Sequence, residues 1–194
     1  MTKIVGLTGG IGSGKTTIAK HIKSLGIPVY IADDAAKKIL FLPETLNSLR
    51  LVFGNVIFDD GVLNKDKLSK IVFNKPEMLL QLNQIVHPAV KIDFDNWIKR
   101  NENQPLVVKE AAVLFESGGY KDCDVIITIV APINERIQRV MARDNANSEA
   151  VLSRINNQWT DEMRMEKSDY VIENKEIIKA CEQTEKILKN ILNQ

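Results

Sequence analysis

Short apolar runs alternate with helical patterns along most of the chain. Lys3-Ile4-Val5-Gly6-Leu7 is continuous enough to predict a buried strand. After a glycine-rich stretch, Ile18, Ile22 and Leu25 recur at helical spacing, and Gly26 followed by Pro28 predicts the helix stop. Ile27-Pro28-Val29-Tyr30-Ile31 is a second strand candidate and Pro105-Leu106-Val107-Val108 a third. Asp124-Val125-Ile126-Ile127-Thr128-Ile129-Val130, rich in β-branched residues, is the fourth, and Asp169-Tyr170-Val171-Ile172 the fifth. Continuous apolar strands separated by helices predict a doubly wound parallel five-stranded sheet flanked by helices, an α/β fold. The last helix, about residues 175–192, places Ile177, Cys181, Thr184, Leu188 and Ile191 on one side as a core stripe.

Two blocks depart from this alternation. Between the second and third strands lie about 70 residues in which helical patterns follow one another without a strand. Phe53-Gly54 and Asp59-Asp60-Gly61 mark turns there. Met78 to Ile98 is a long helical pattern that His87-Pro88 is expected to break or restart. Trp97 continues the apolar stripe of Val90 and Phe94. Residues 143–165 form a polar, arginine-bearing block between the fourth and fifth strands, the place for a mobile lid. The predicted organisation is a core of residues 1–34, 105–142 and 166–194, an all-helical insertion of residues 35–104, and a lid of residues 143–165.

The glycine-rich stretch changes the picture from fold to chemistry. Gly9-Gly10-Ile11-Gly12-Ser13-Gly14-Lys15-Thr16 fills G-x-x-x-x-G-K-[ST] at every fixed position, with a strand before it and a helix after it. In such a P-loop, glycines let backbone N–H groups turn around a polyphosphate. Lys15 reaches the β- and γ-phosphates, the Thr16 hydroxyl ligates Mg²⁺, and the helix presents its positive end to the anion. Gly10, Gly12, Ser13, Gly14, Lys15, Thr16 and Thr17 are thus the candidate nucleotide-binding residues.

Other candidates follow from strand ends, where open parallel sheets place their ligands. Asp33 and Asp34 follow the second strand; a carboxylate there serves either as proton acceptor for a substrate hydroxyl or as a helix cap. Glu110 ends the third strand, where an acid can hold the Mg²⁺ shell; Glu116 lies beyond Val113-Leu114-Phe115; both read equally as salt-bridged surface acids. Arg136, Arg139 and Arg143 follow the fourth strand, and Arg154 and Gln158 are a further pair four residues apart. Such arginines either stabilise the charge of a transferring phosphoryl group or make an ordinary solvated face. His87 reads from the residues alone as structural or capping.

Bulk properties narrow the classes. The 194 residues are 44% hydrophobic and 26% charged, with 26 Lys+Arg against 25 Asp+Glu and a net charge of +1, so charge does not suggest nucleic-acid binding. Cys123 and Cys181 are isolated, without metal-ligand spacing, which points to a reduced setting. Residues 1–8 lack a signal-peptide pattern, and no apolar run approaches the ~20 residues of a membrane span. The expectation is a soluble cytoplasmic protein, a monomer or small homo-oligomer, with no nucleic-acid or membrane partner.

Together the motifs resemble the dephospho-CoA kinase family. Gly6-Leu7-Thr8-Gly9-Gly10-Ile11-Gly12-Ser13-Gly14-Lys15-Thr16-Thr17 resembles its opening signature and Ala32-Asp33 its Asp-Ala-Asp segment. Phe53-Gly54, Asp60-Gly61-Val62-Leu63 and Leu82-Asn83-Gln84-Ile85-Val86-His87-Pro88 follow the order of its acceptor domain. Leu114-Phe115-Glu116, Arg139, Arg143, Gln158 and Asp169-Tyr170-Val171-Ile172-Glu173-Asn174 extend the resemblance to residue 174. It implies a P-loop kinase in which ATP phosphorylates the ribose 3′-hydroxyl of dephospho-CoA, giving CoA and ADP in the last step of CoA synthesis. By matched position, Asp33 is the general base, with Lys15 and Arg139 as its catalytic partners. Arg139 and Arg143 close on the phosphates or the adenine. Asp33, His87, Glu116 and Arg139 contact the acceptor held by the insertion, and Thr16 with Glu110 hold Mg²⁺. The chain departs from the family pattern at Ile31, Glu110, Ala112, Arg164 and Ser168, where Asp, Asp, Pro, Lys and Ala are usual. Two other functions share the P-loop. A nucleoside or nucleotide kinase would carry a similar lid, and a GTPase-type switch would need N-K-x-D, for which Asn64-Lys65-Asp66-Lys67 has lysine in place of the final Asp.

Overall fold

A computed structural model of the chain describes residues 2–73 and 75–193. In chain order the elements are β1 (Lys3–Thr8), α1 (Lys15–Ser24), β2 (Val29–Ile31), α2 (Ala32–Ile39), α3 (Pro43–Phe53), β3 (Phe58–Asp59), β4 (Val62–Leu63), α4 (Lys65–Phe73) and α5 (Pro76–Arg100). There follow β5 (Leu106–Glu110), β6 (Val125–Val130), α6 (Ile133–Asp144), α7 (Ser148–Asn156), α8 (Asp161–Met165), β7 (Tyr170–Glu173) and α9 (Ile177–Leu192). They fall into two compact units, Met1–Ile31 with Asn101–Gln194, and Ala32–Arg100.

The first unit is a parallel five-stranded sheet in the order β2-β5-β1-β6-β7. All five strands lie where the apolar runs predict them. Their continuity has a simple cause: the central strands bury both faces, so β5 is buried at every residue and Val5, Leu7, Ile127 and Ile129 are fully covered. α1 and α9 pack together, and Ile18, Ile22, Ala180, Leu188 and Ile191 join the strand residues in one core. The buried stripe of α9 is Ala180, Thr184, Ile187, Leu188 and Ile191, displaced from the predicted one: Ile177, the first residue of the helix, is 38% exposed. Register places Glu110 opposite both Leu7 and Ile31, so β1, β2 and β5 end together at one edge. The P-loop leaves β1 at that carboxyl edge.

The second unit has α5 as its axis, with α2, α3 and α4 packed on it. Leu49, Phe53, Ile57, Leu63 and Leu68 form its core. α5 runs unbroken through Pro88, against the expected break. The lost N–H concerns the carbonyl of Gln84, and both Gln84 and Pro88 lie on the exposed side, where water can replace the donor. Packing along both halves of α5 then outweighs the local penalty. The insertion is helical with one addition, because the Asp60-Gly61 turn closes a hairpin in which Phe58 pairs Leu63 and Asp59 pairs Val62. Asp60 and Gly61 have φ of 48° and 82°, the backbone a two-residue hairpin turn requires. Asn64 then accepts from the N–H groups of Asp66 and Lys67 and caps α4. Among the described residues, no helix is long and apolar enough to cross a membrane.

Candidate active site

The loop of residues 9–14 connects β1 to α1, and its shape depends on missing side chains. Gly12 and Gly14 adopt φ of 79° and 99°. A Cβ on Gly12 would lie 2.5 Å from the carbonyl oxygen of Arg136, and one on Gly14 would lie 2.1 Å from Asn174 Nδ2. Backbone conformation and space therefore both demand glycine. Gly14→Ala is expected to reduce stability by about 1–3 kcal/mol and to weaken ATP binding. Melting curves with and without ATP check both effects, since a ligand that binds only the folded state raises the transition.

Lys15 opens α1 and is 7% exposed. Its ammonium donates to the carbonyls of Gly9 at 2.7 Å and Gly10 at 3.2 Å, so it curls over the loop from which it springs. Thr16 and Thr17, in the first turn, are exposed. Thr17 N–H donates to the Gly14 carbonyl at 3.0 Å, and the Lys15 and Thr16 N–H groups ahead of it lie at the positive end of the helix. Ser13 is fully buried, and among the described residues its Oγ has no hydrogen-bond partner. A glycine cradle with a buried, unpartnered hydroxyl at its base suits a polyphosphate.

Three side chains reach the loop from distant elements. Arg136 of α6, 5% exposed, donates from Nε to Ile11 O at 2.9 Å and pairs with Asp161 at 2.9 Å. Gln158 accepts from Ile11 N–H at 2.9 Å. Asn174, after β7, donates from Nδ2 to Ser13 O at 2.7 Å. Arg139 joins this side of the site by donating to the carbonyl of Asn174 at 3.1 Å and to Glu135 at 2.6 Å, while among the described residues its buried Nη1 has no hydrogen-bond partner.

The remaining predicted residues divide. Glu110 is 4% exposed at the carboxyl end of β5. Thr16 hydroxyl and Glu110 carboxylate are hard oxygen donors of the kind Mg²⁺ takes. Among the described residues no cluster of three or more His, Cys, Asp or Glu could hold a metal. Oxygen donors of this kind fit a Mg²⁺ that completes its shell with substrate phosphates and water. Glu116 is engaged elsewhere: it accepts from Trp159 N–H at 3.1 Å and from fully buried Arg164 at 3.2 Å. Arg143 is exposed and binds Asp144 through two nitrogens, and Asp144 also takes Arg154. The P-loop residues and Arg139 are brought together, whereas Arg143 and Glu116 each have their own carboxylate or guanidinium partner. Asp33 and His87 belong to the helical unit. Asp33 lies exposed in the first turn of α2 directly after β2, and His87 is half-buried in α5, where burial lowers its pKa and favours the neutral imidazole.

From the sequence, Arg136 reads with Arg139 and Arg143 as a stabiliser of phosphoryl charge or part of a solvated face, and Gln158 and Asn174 carry no stated role; Arg136 is instead 5% exposed and bound to the loop. A signal was present for Arg136: it precedes Val140 by four residues, so it shares the buried face of α6. Nothing local marks Asp161 or Asn174 as partners of the loop.

The model of the dephospho-CoA kinase family matches residues 3–180. A dephospho-CoA kinase from Bacteroides fragilis is 37% identical over 171 residues, which are 88% of this chain and 83% of the relative. One from Fusobacterium nucleatum is 38% identical over 172 residues, 88% and 89% of the two chains. A Thermus thermophilus crystal structure superposes with a TM-score of 0.90 at 33% identity over 98% of each chain. A Campylobacter jejuni dephospho-CoA kinase superposes with a TM-score of 0.73 at 28% identity, covering 100% of this chain and 98% of that one. A shikimate kinase from Acinetobacter baumannii, with a TM-score of 0.56 at 16% identity, shares the P-loop kinase fold alone. The P-loop on a five-stranded parallel sheet, the helical insertion and these similarities together place the chain in the dephospho-CoA kinase family.

Proposed function

We propose that this chain transfers the γ-phosphoryl group of ATP to the ribose 3′-hydroxyl of dephospho-CoA, giving CoA and ADP. The observation that carries this reading is the glycine cradle between β1 and α1, with its positive-φ Gly12 and Gly14 and with Lys15 folded over it, in a chain of this family.

Phosphoryl transfer leaves little covalent work to the protein, so positioning and charge supply most of the rate. The N–H groups at the start of α1 and the Lys15 ammonium bind the β- and γ-phosphates. Bound Mg²⁺, held by the Thr16 hydroxyl and Glu110, would neutralise charge on the phosphate oxygens. Asp33, exposed in the first turn of α2, accepts the proton of the 3′-hydroxyl. Arg139, tethered by Glu135 and Asn174 O, turns its unpartnered Nη1 to the transferring group. Arg143 leaves Asp144 to contact the nucleotide. His87 lines the acceptor pocket of the helical unit, residues 35–104, and Glu116 contributes through Arg164. Residues 143–165 close as a lid that keeps water from the phosphoryl group, in a cytoplasmic setting. With ATP and Mg²⁺ the expected products are ADP and 3′-phosphorylated CoA. Excess EDTA should stop their formation, and GTP should not replace ATP. Undiminished product in EDTA contradicts the metal assignment, and equal use of GTP contradicts the nucleotide assignment.

A further inference from the structure

Every peptide plane carries a C=O and an N–H that point in opposite directions, so holding one orients the other. In this loop, three side chains hold three planes. Gln158 Oε1 takes the N–H of Ile11 at 2.9 Å, and so fixes the plane whose other end is the Gly10 carbonyl. That carbonyl accepts from Lys15 Nζ and from Ser13 N–H, both at 3.2 Å. Arg136 Nε takes the carbonyl of Ile11 at 2.9 Å, which turns the N–H of Gly12 the opposite way. Asn174 Nδ2 takes the carbonyl of Ser13 at 2.7 Å, which does the same for the N–H of Gly14.

We infer that Arg136, Gln158 and Asn174 are positioning residues that aim the N–H groups of Gly12 and Gly14, and the carbonyl seat of Lys15, for phosphate. The inference rests on the reading of the loop as the cradle for ATP. Glycine is the residue least able to hold such orientations by itself, because both signs of φ are open to it. Outside constraints must supply what the sequence Gly-Ile-Gly-Ser-Gly lacks. The constraints are themselves rigid. Arg136 is 5% exposed, and a Cβ on Gly10 would lie 2.1 Å from its Nη2, so the guanidinium lies flat against the loop. Its other arm is bound by Asp161, which also meets Arg164 at 3.4 Å. Arg164 in turn grips Trp159 O at 2.6 Å and Glu116 at 3.2 Å, and the Trp159 ring stacks on Phe115 with centroids 5.5 Å apart. Gln158 and Asp161 flank this anchored stretch. The P-loop is thereby set by the segment that leads out of α7.

The test uses full-length Gln158→Leu, Asn174→Ala, Arg136→Met and Arg136→Lys. ATP affinity is measured by calorimetry with Mg²⁺, the KM of each substrate by steady-state kinetics, and folding by thermal melting. Loss of one oriented donor should weaken ATP binding about tenfold per variant. The KM of dephospho-CoA should stay within about twofold. Arg136→Lys keeps a cation and a donor, so it should recover part of the affinity lost in Arg136→Met. In the ligand-free protein, the amide resonances of Gly12 and Gly14 should move in Arg136→Lys and Asn174→Ala respectively. Variants that melt earlier yet bind ATP as the wild type does would make the three residues mere braces and overturn the inference alone. A wild-type protein that fails to bind ATP overturns the reading of the loop and the inference with it. Gln158 is only half-buried, so Gln158→Leu remains decisive if the Arg136 variants do not fold.

Discussion

Lys15→Ala is expected to lower kcat/KM at least about a hundredfold and to weaken ATP binding as well. The side chain is unusual for a lysine in being 7% exposed, with its ammonium resting on two loop carbonyls. When phosphates arrive, the same ammonium can serve them from a short distance without reordering its stem, so little entropy is lost in making the contact. Alanine removes a charge-assisted interaction of about 1.5–3 kcal/mol in the bound state and a larger share in the transition state, where negative charge spreads over the transferring oxygens. Titration calorimetry and initial rates separate the two losses, and a melting curve shows whether the loop itself remains folded. Normal binding and turnover in this variant would mean that the loop holds no phosphate.

Asn in place of Asp33 should leave ATP affinity within about twofold and cut kcat by about a hundred- to ten-thousandfold. Asp33 stands in the first turn of α2, one residue beyond the β2–α2 junction, where the neighbouring Asp34 makes the ion pair with Lys37. The substitution keeps shape and polarity while removing the proton acceptor. Its effect should therefore fall on kcat and spare nucleotide binding. Single-turnover rates with saturating ATP and dephospho-CoA measure it directly. Turnover equal to that of the wild type would move the base to another group and leave Asp33 as a helix-terminus residue.

What was legible in the sequence and what was not follow from how far each signal reaches along the chain. The strands of the sheet could be read because both faces are buried and each needs an unbroken apolar run, as in Val125–Val130. The P-loop could be read because its glycines answer to local backbone geometry. Pro88 misled because a local penalty was overruled by packing along α5. The hairpin at Phe58–Leu63 has two residues per strand, too few for alternation to register. The partners of the loop escaped for another reason. Arg136, Gln158 and Asn174 stand 125, 147 and 161 residues from the atoms they hold. No periodicity or spacing rule spans such distances; only the pairing of β6 with β1, and of β7 with β6, brings them together. Arg164 shows the same limit in another form. A fully buried arginine looks improbable from composition, and it becomes acceptable once Glu116, Asp161 and Trp159 O surround it.

One coupled assay of ADP release tests the identity of the acceptor. Protein, ATP and Mg²⁺ are combined with dephospho-CoA, with adenosine, with AMP, or with no acceptor, and the product of the first is analysed for CoA. ADP release is expected to depend on dephospho-CoA, with CoA formed in equal amount and little release in the other three. Release that follows adenosine or AMP instead, or that is indifferent to any acceptor, would contradict it.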